Sequence, residues 1–450
     1  MTSTTLAAAE GLWTGLQLPH GALSRLLPSE YSDPSVDSSF RLGTAAQAAI
    51  GVSGLAAAEF HRLRTGAEQT VTVEARHAVL EFKSEAFYTL DGELPSGSLF
   101  NDLAGVYRTK DNSYVRLHTN FPHHRQGILD ILKCQPTKEA VAEALLHWNA
   151  IDFETEASSR KMVATALRSF AQWDEHPQGK VLAGTPPVTI TRIGDAPKRQ
   201  ISGPYNRPLE GIRVLELTRV LAGPVCGRTL ADADVFLQSY RPGGLHDKGF
   251  GAEDVAKARP GIVYASLTAY GWESPWKDRR GFDSLVQTAT GFNAAEAEAY
   301  AAYIGTPSLE PLAPKALPMQ ALDHAAGYLL ATGISAALCK TITEGGSWEV
   351  RVSLAAVGQW IRSLGQLDPK VAFGEGRPFP PRVSPQAPEV AALAVPFVQS
   401  RADSEGGKTR RKMIAIKHAA LLSRTPVREN EAPMSLHSHR PEWLGFDDVP

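Results

Sequence analysis

Two aspartates in the C-terminal half of the chain stand where a carboxylate could do chemistry. Asp323 comes just ahead of a helix-like run, and Asp283, in Gly-Phe-Asp, precedes another. The backbone amides at the start of a helix can hold a carboxylate or an oxyanion, and an aspartate can act as a nucleophile. Aspartate is also a favoured helix cap. Each residue therefore has a catalytic and a capping interpretation.

A histidine-rich segment invites a metal interpretation. His118, His123 and His124 lie within seven residues of each other. No carboxylate or cysteine stands at convincing ligand spacing, so we predict a turn there and no metal site. The three cysteines are far apart, without zinc or redox-motif spacing, which favours buried thiols in a reducing compartment.

The composition is that of a globular protein with more than one domain. The chain has 450 residues, 43% of them apolar and 21% charged, with a net charge of -2. This charge gives no general attraction to nucleic acid or to a membrane surface, so an anionic ligand requires local Arg, Lys or backbone groups. The N-terminus lacks the pattern of a secretory signal, and no apolar run is long enough to span a membrane. We expect a cytoplasmic protein, with mitochondrial and peroxisomal locations left open.

Strand-like and helix-like segments alternate from Gly211 onward. Gly211-Ile-Arg-Val-Leu-Glu-Leu predicts a strand, residues 225–231 a helix, Val235-Phe-Leu a strand, and Gly261-Ile-Val-Tyr-Ala-Ser-Leu another. Such alternation indicates an α/β fold with a Rossmann-like parallel sheet. Upstream, Tyr107-Arg-Thr-Lys-Asp-Asn-Ser-Tyr-Val-Arg-Leu-His predicts a hairpin in a smaller α+β domain.

A helix, a glycine break and a strand occur twice in the same order. The first copy starts near Gly51 and the second near Gly333, and they share Ser53/Ser335 and Val71/Val350. We interpret this as an internal duplication. The predicted organisation is a partial first copy in residues 1–82, the smaller α+β domain in 83–200, the Rossmann-like core in 204–366, and a loosely packed C-terminal segment in 367–450.

Four blocks in the core resemble the class III CoA-transferases, the CaiB/BaiF family. Together they form a specific pattern, and the ending Ser438-His-Arg-Pro-Glu-Trp-Leu is similar to fungal-type members with a duplicated layout. The blocks are Gly211-Ile-Arg-Val-Leu-Glu-Leu-Thr-Arg-Val-Leu-Ala-Gly-Pro, Ala233-Asp-Val-Phe-Leu-Gln-Ser-Tyr-Arg-Pro-Gly-Gly-Leu, Arg259-Pro-Gly-Ile-Val-Tyr-Ala-Ser-Leu-Thr-Ala-Tyr-Gly with Arg280-Gly-Phe-Asp, and Ala321-Leu-Asp-His-Ala-Ala-Gly-Tyr.

The resemblance implies a transferase that moves CoA between an acyl-CoA thioester and a free carboxylic acid. Asp323 maps onto the family's nucleophile, which forms an aspartyl-CoA intermediate, and Asp283 onto an acidic residue that shapes the site. Coenzyme A, as substrate, is implied to lie against six residues around the first two strand ends: Arg219, Leu221, Ala222, Tyr240, Arg241 and Lys248. A homodimer is implied by the resemblance alone, and neither nucleic acid nor membrane is an expected partner.

Phe282 separates this chain from the related α-methylacyl-CoA racemases, which carry a histidine at that position. A phenyl ring cannot exchange an α-proton, and His324, next to Asp323, should point to a different side of its helix. A racemase-like enzyme is therefore the weaker alternative.

The largest departure from the family follows Ala231. Relatives continue there through further strand–helix elements, whereas Ala231 runs straight into Asp232-Ala-Asp-Val-Phe-Leu. We expect a truncated core with a smaller sheet, and a catalytically impaired acyl-CoA-binding or structural relative remains the third interpretation.

Overall fold

The computed structural model describes residues 4–95, 97, 100–201, 204–218, 220–230, 234–273, 275–306, 312–402 and 408–427. The chain divides into two compact units. The larger comprises Met1–Phe82, Ser98–Phe379 and Ala419–Pro426, and the smaller comprises Lys83–Gly97, Pro380–His418 and Val427–Pro450.

The helices and strands are numbered in chain order. The helices are α1 (Thr4–Gly15), α2 (Leu42–Thr65), α3 (Ala75–Glu81), α4 (Pro122–Leu132), α5 (Lys138–Leu145), α6 (Ala150–Ser159), α7 (Phe170–Glu175), α8 (Pro177–Leu182), α9 (Ala222–Leu230), α10 (Ala252–Ala258), α11 (Asp283–Ala289), α12 (Phe292–Ile304), α13 (Ala321–Thr343), α14 (Leu354–Ser363), α15 (Pro369–Gly374) and α16 (Pro388–Ala391). The strands are β1 (Leu26–Pro28), β2 (Val71–Val73), β3 (Tyr88–Leu90), β4 (Gly105–Arg108), β5 (Tyr114–Leu117), β6 (Ala164–Ala166), β7 (Val188–Gly194), β8 (Val214–Leu217), β9 (Val235–Gln238), β10 (Val263–Thr268), β11 (Ser347–Ser353), β12 (Ala394–Ala402), β13 (Lys408–Ile416) and β14 (Ala420–Leu422).

A five-stranded sheet in the order β7-β11-β10-β9-β8 forms the centre of the larger unit. Strands β8, β9, β10 and β11 run parallel, and β7 pairs antiparallel with β11. Strands β9 and β10 are buried along their whole length, as expected for strands covered on both faces. The predicted α/β fold with a parallel sheet is confirmed.

Strands β8 and β9, on either side of the predicted truncation, pair with each other in the sheet. Residues 231–233 lie outside the described part of the chain, but on either side of them β8 and β9 are bonded neighbours, with Leu217 opposite Gln238. Helix α9 lies between the two strands in sequence and packs against α13. Because a parallel connection needs about a dozen residues, this single helix is close to the shortest crossover available.

Two long helices, α2 and α13, pack against each other in the core of the larger unit. Helix α13 also packs closely on the sheet, since a Cβ on Gly333 would lie 2.5 Å from Cγ1 of Val350 in β11. By length and composition α13 could cross a membrane, yet almost all of it is buried inside the unit. Burial of this kind is typical of a core helix.

The predicted hairpin is confirmed as β4 and β5, which pair antiparallel and are joined to β6 in a three-stranded sheet. A turn at Asn112, with φ of 56°, connects them. Val115 and Leu117 of β5 face a separate apolar core that includes Ile128 of α4 and Phe153 of α6. Alternation along β5 therefore turns Tyr114 and Arg116 to the other side.

The order helix–strand–helix occurs twice, as α2–β2–α3 and as α13–β11–α14. The duplication and the four domain boundaries stay predictions. The stretch after residue 366 contains α15, α16 and three strands within its described residues. In the smaller unit, β12, β13 and β3 form an antiparallel sheet with Phe397 and Ala415 in a small apolar core.

Candidate functional site

The carboxyl ends of the parallel strands gather the predicted site residues at one edge of the sheet. Helices that connect parallel strands begin at this edge, so the N-termini of α9 and α13 both lie there. A Cβ on Gly327 would stand 2.8 Å from the carbonyl oxygen of Ala222 and 2.6 Å from Cγ1 of Val225. The start of α9 is therefore packed directly against the first turns of α13, which carries Asp323.

Asp323 is the third residue of α13 and is 8% exposed. The N-cap of the helix is Gln320, so the capping interpretation of Asp323 is wrong. The backbone N–H of Asp323 donates to Oδ2 of Asp283 at 2.9 Å. Its carboxylate thus belongs to the first turn of the helix without serving as the cap.

Asp283 caps α13 instead of its own helix. It is fully buried at the first position of α11, whose N-cap Phe282 makes no side-chain cap. Its Oδ2 accepts from the backbone N–H groups of Leu322, at 2.7 Å, and Asp323, and its Oδ1 accepts from Nε2 of Gln287. Burial nevertheless raises the pKa of the Asp283 carboxyl to about 6. This carboxyl therefore fixes the backbone that carries Asp323.

The residues implied to bind CoA follow two adjacent strands. Leu221 and Ala222 open α9 after β8, with the N–H of Val225 donating to the carbonyl of Leu221 at 2.8 Å. Tyr240 and Arg241 follow β9 and are exposed. Because β8 and β9 are parallel neighbours, these two pairs of residues lie at the same edge.

Two other predicted CoA residues stand apart from this pairing. Lys248 ends an exposed 3-10 turn, His246–Lys248, further along the chain. Arg219 lies outside the described residues. The structure thus groups four of the six predicted CoA-binding residues.

Three apolar side chains in this region are exposed, and two of them, Val220 and Phe250, were missed by sequence reasoning. Val220, Tyr240 and Phe250 are 53%, 54% and 52% exposed. Val220 also has φ of 77°, which is unfavourable for a β-branched residue and persists only where the surroundings impose it. Large exposed apolar groups beside a candidate nucleotide site suit an adenine ring, and the run Val220-Leu221-Ala222 was the available signal.

The rings of His118 and Phe282 stack on each other, and Phe282 is next in the chain to Asp283, which caps α13. The ring centroids lie 3.9 Å apart and the planes 10° apart. Burial, and after it the charge of Arg116, lowers the pKa of His118 to about 4, so the imidazole is neutral near pH 7. Sequence reasoning assigned this segment to a turn. The alternation in β5, which turns Arg116 away from the apolar core, was the signal that could have indicated the stacked pair of His118 and Phe282.

A buried carboxylate holds the segment that precedes Phe282. Glu154 of α6 pairs with Arg168 at 2.5 Å and with Arg279 at 2.9 Å, and the guanidinium of Arg279 lies 3.9 Å from the ring centroid of Trp276. Burial acts to raise the pKa of Glu154, but the hydrogen bond from Arg168 and the two positive charges lower it to about 2. The pairing ties Arg279, three residues before Phe282, to α6 of the smaller α+β region.

The racemase pair is not assembled around Asp323. His324 is 1% exposed and stacks with Phe82 at 5.5 Å between centroids. Phe282, in the position where a racemase carries its histidine, stacks on a neutral His118. Within the described chain, no group of three or more His, Cys, Asp or Glu residues is placed to hold a metal ion.

Comparisons with known proteins found related sequences and structures. Residues 231–365 match the model of CoA-transferase family III. Acetyl-coenzyme A transferase nodX of Hypoxylon pulicicidum is 25% identical over 63% of this chain and 59% of its own length. The probable fatty acyl-CoA transferase Rv3272 of Mycobacterium tuberculosis is 30% identical over 44% of this chain and 46% of its own length.

A solved structure of Rv3272 in an orthorhombic form matches 36% of this chain and 57% of that chain, with 28% identity and a TM-score of 0.30. The chain spans about half the length of the curated relatives it matches. The matched segment contains strands β9, β10 and β11, both candidate aspartates and helix α13. Residues 231–365 therefore match CoA-transferase family III, the family that the four sequence blocks resemble.

Proposed function

We propose that the protein transfers CoA between an acyl-CoA thioester and a free carboxylic acid, with Asp323 as the nucleophile. The observation that carries the proposal is the N-terminus of α13. Asp283 accepts hydrogen bonds from the amides of Leu322 and Asp323, which fixes the first turn of α13, and the Asp323 side chain belongs to that turn. The start of α9, which packs on the same turns, carries the candidate CoA contacts.

The proposed reaction proceeds in two halves. The Asp323 carboxylate attacks the thioester carbonyl, a C–O bond forms, the C–S bond breaks, and CoA leaves as a thiolate. The thiolate then attacks the aspartyl carbonyl of the mixed anhydride, which forms the enzyme thioester and releases the donor's acid as a carboxylate. The acceptor carboxylate repeats these steps in reverse order, so the thiolate ends on the acceptor and Asp323 is regenerated.

Asp283 is proposed as a positioning residue. Oδ2 of its carboxyl accepts hydrogen bonds from the backbone N–H groups of Leu322 and Asp323, so the direction of the Asp323 side chain depends on Asp283. A change of about 1 Å in a nucleophile's position can cost about 10²-fold in rate. Loss of Asp283 would therefore lower turnover without removing the nucleophile.

Exchange of label tests the proposal. The full-length protein is incubated with several acyl-CoA thioesters and ¹⁴C-labelled free acids, and transfer of label into the thioester pool is measured. Exchange that disappears in Asp323→Ala, with an enzyme thioester that hydroxylamine cleaves in the wild type alone, supports the proposal.

Two other outcomes would contradict it. Deuterium uptake at the α-carbon of the acyl group, without exchange of acids, would favour the racemase-like alternative. CoA binding with neither reaction would favour a non-catalytic acyl-CoA-binding relative.

A further inference from the structure

Arg116 is a part-buried cation, and within the described residues no carboxylate forms an ion pair with it. Its side chain leaves β5 on the face opposite Val115 and Leu117, and its Nε is buried without a hydrogen-bond partner. Within the described part of the chain it forms no ion pair and no hydrogen bond, and burial lowers the pKa of its guanidinium. An arginine nevertheless stays protonated at physiological pH, so a positive charge is held here.

Three other guanidiniums with little exposure pair with carboxylates within the described residues. Arg25 contacts Glu59 at 2.7 Å, and Arg168 and Arg279 share Glu154. Burying a charge without a partner is costly, so a part-buried arginine without a carboxylate is a candidate for binding an anionic ligand. Arg116 differs from these residues in lacking a dedicated carboxylate.

The carboxylate whose charge reaches Arg116 is that of Asp283. That carboxylate is already engaged, since it accepts from two backbone amides of α13 and from Gln287. Asp283 is therefore not a dedicated partner of Arg116. Strand β5 packs against α11, which begins at Asp283, so the guanidinium lies in the region of the turn of α13 that carries Asp323.

His118 adds a second available group at the same place. It is 5% exposed, its ring lies flat against Phe282, and its Nδ1 is buried without a partner. Its backbone N–H donates to the carbonyl of Val163 at 3.1 Å, which fixes the residue after β5. A neutral imidazole beside a guanidinium can donate one hydrogen bond to an oxygen that the guanidinium also holds.

We propose that Arg116 and His118 bind the carboxylate of the free acid, both the acid released by the donor and the acid that accepts CoA. The naming of that acid as acceptor rests on the proposed function. Arginine suits a carboxylate because its parallel N–H groups match the two oxygens. The ring of Phe282 forms the apolar surface against which the adjoining carbons of the acid pack. The smaller α+β region thereby selects the acid, and the parallel sheet holds CoA.

Direct binding of acids tests this assignment without requiring turnover. Sodium succinate and sodium octanoate are titrated into the full-length protein, with and without CoA, and followed by ligand-observed NMR and calorimetry. Arg116→Gln is expected to weaken binding of an acid at least about tenfold, and Arg116→Lys to weaken it less, because the charge remains. Arg108→Gln is the matched control, since Arg108 is exposed on neighbouring β4 and bonds Asn112 at 3.0 Å.

Steady-state kinetics provide the second measurement. Arg116→Gln and His118→Ala should raise KM for the acceptor acid at least about fivefold while KM for the acyl-CoA changes less than about twofold. If Arg116→Gln does not fold, as judged by thermal unfolding and circular dichroism, Arg116→Lys and His118→Ala carry the test. A merely structural role would change both KM values or the stability alone.

The two proposals fail in different ways. Acid binding that is the same in wild type and Arg116→Gln, or absent for both probes, overturns the carboxylate site even if CoA transfer is observed. Acid binding that depends on Arg116 in a protein without CoA transfer supports the site and contradicts the proposed function. Asp323→Ala should still bind the acid.

Discussion

The N-termini of the two central helices, α2 and α13, are each capped by an aspartate from another part of the chain. In α2, Asp33 accepts from the backbone N–H groups of the second and third residues, Gly43 at 2.9 Å and Thr44 at 3.3 Å. In α13, Asp283 accepts from the second and third residues, Leu322 and Asp323. Burial raises the pKa of both capping carboxyls.

The third residue of each helix distinguishes the N-terminus of α2 from that of α13. The hydroxyl of Thr44 donates to Oδ2 of Asp33 at 2.6 Å, so the third residue of α2 bonds the carboxylate that caps its own helix. We call this N-terminus the closed end of α2. At the matching place α13 carries a carboxylate that cannot close on Asp283 in this way, because a second ionised oxygen there would be repelled. The carboxylate cap is thus a structural device that occurs twice, and the residue at the third position decides whether an end can do chemistry.

The largest expected effect comes from making the two ends the same. Asp323→Thr should lower CoA transfer by at least about 10³-fold, because it removes the proposed nucleophile and supplies a hydroxyl that can bond Asp283 as Thr44 bonds Asp33. Exchange of labelled acid measures the loss. The midpoint of thermal unfolding should stay close to that of the wild type. CoA transfer by the variant within about tenfold of the wild-type rate would show that Asp323 is not the nucleophile.

The second effect concerns the caps themselves. Asp283→Ala and Asp33→Ala each leave two helix amides without an acceptor in a buried or part-buried place, so each should lower the free energy of unfolding by about 2–3 kcal/mol. Denaturant titration measures both. Only Asp283→Ala should also reduce transfer, since only that cap carries Asp323.

Asp368→Ala supplies a control for cap removal. Asp368 caps α15 through the N–H of Lys370 at 2.9 Å in an exposed setting, so its loss should cost about 1 kcal/mol or less. Equal losses of activity in Asp33→Ala and Asp283→Ala would show that both ends serve the site and would end the contrast between them.

Sequence reasoning predicted the parallel sheet, the hairpin and the position of Asp323 near a helix start. These features depend on local patterns: apolar runs in β9 and β10, alternation in β5, and a small set of family-like blocks. It could not predict that Asp283 caps a helix beginning 38 residues later, at Ala321, because a cap between distant segments has no local signature. The stack of His118 on Phe282 depends likewise on how two regions pack, which periodicity does not encode.

The third effect is a pH dependence that distinguishes the two caps. The pKa of Asp283 rises from 3.8 to about 6 on burial, so the protonated carboxyl favours the folded state. Its contribution is fully present below about pH 4 and is lost as the pH rises through about 6. It amounts to at most about 3 kcal/mol, since one pKa unit corresponds to about 1.4 kcal/mol.

The difference in unfolding free energy between wild type and Asp283→Asn, measured by denaturant titration from pH 4 to pH 7, isolates this carboxyl. Other raised carboxyls, such as Glu296, are common to both proteins and cancel. Wild-type stability should fall relative to the variant across this interval. A difference that is flat with pH would mean that Asp283 stays ionised throughout.

The smallest effect belongs to the closed end of α2. Thr44→Val keeps the shape of the side chain but removes the hydroxyl that bonds Asp33 and lies 2.8 Å from Oγ of Ser32. Both backbone amides stay capped, so the free energy of unfolding should fall by only about 1 kcal/mol, and Thr44→Ser should restore most of it. Neither change should alter the rate of CoA transfer, because the hydroxyl only completes a cap. If Thr44→Val slowed transfer as strongly as Asp283→Ala, the closed end of α2 would have to be assigned a part in the site.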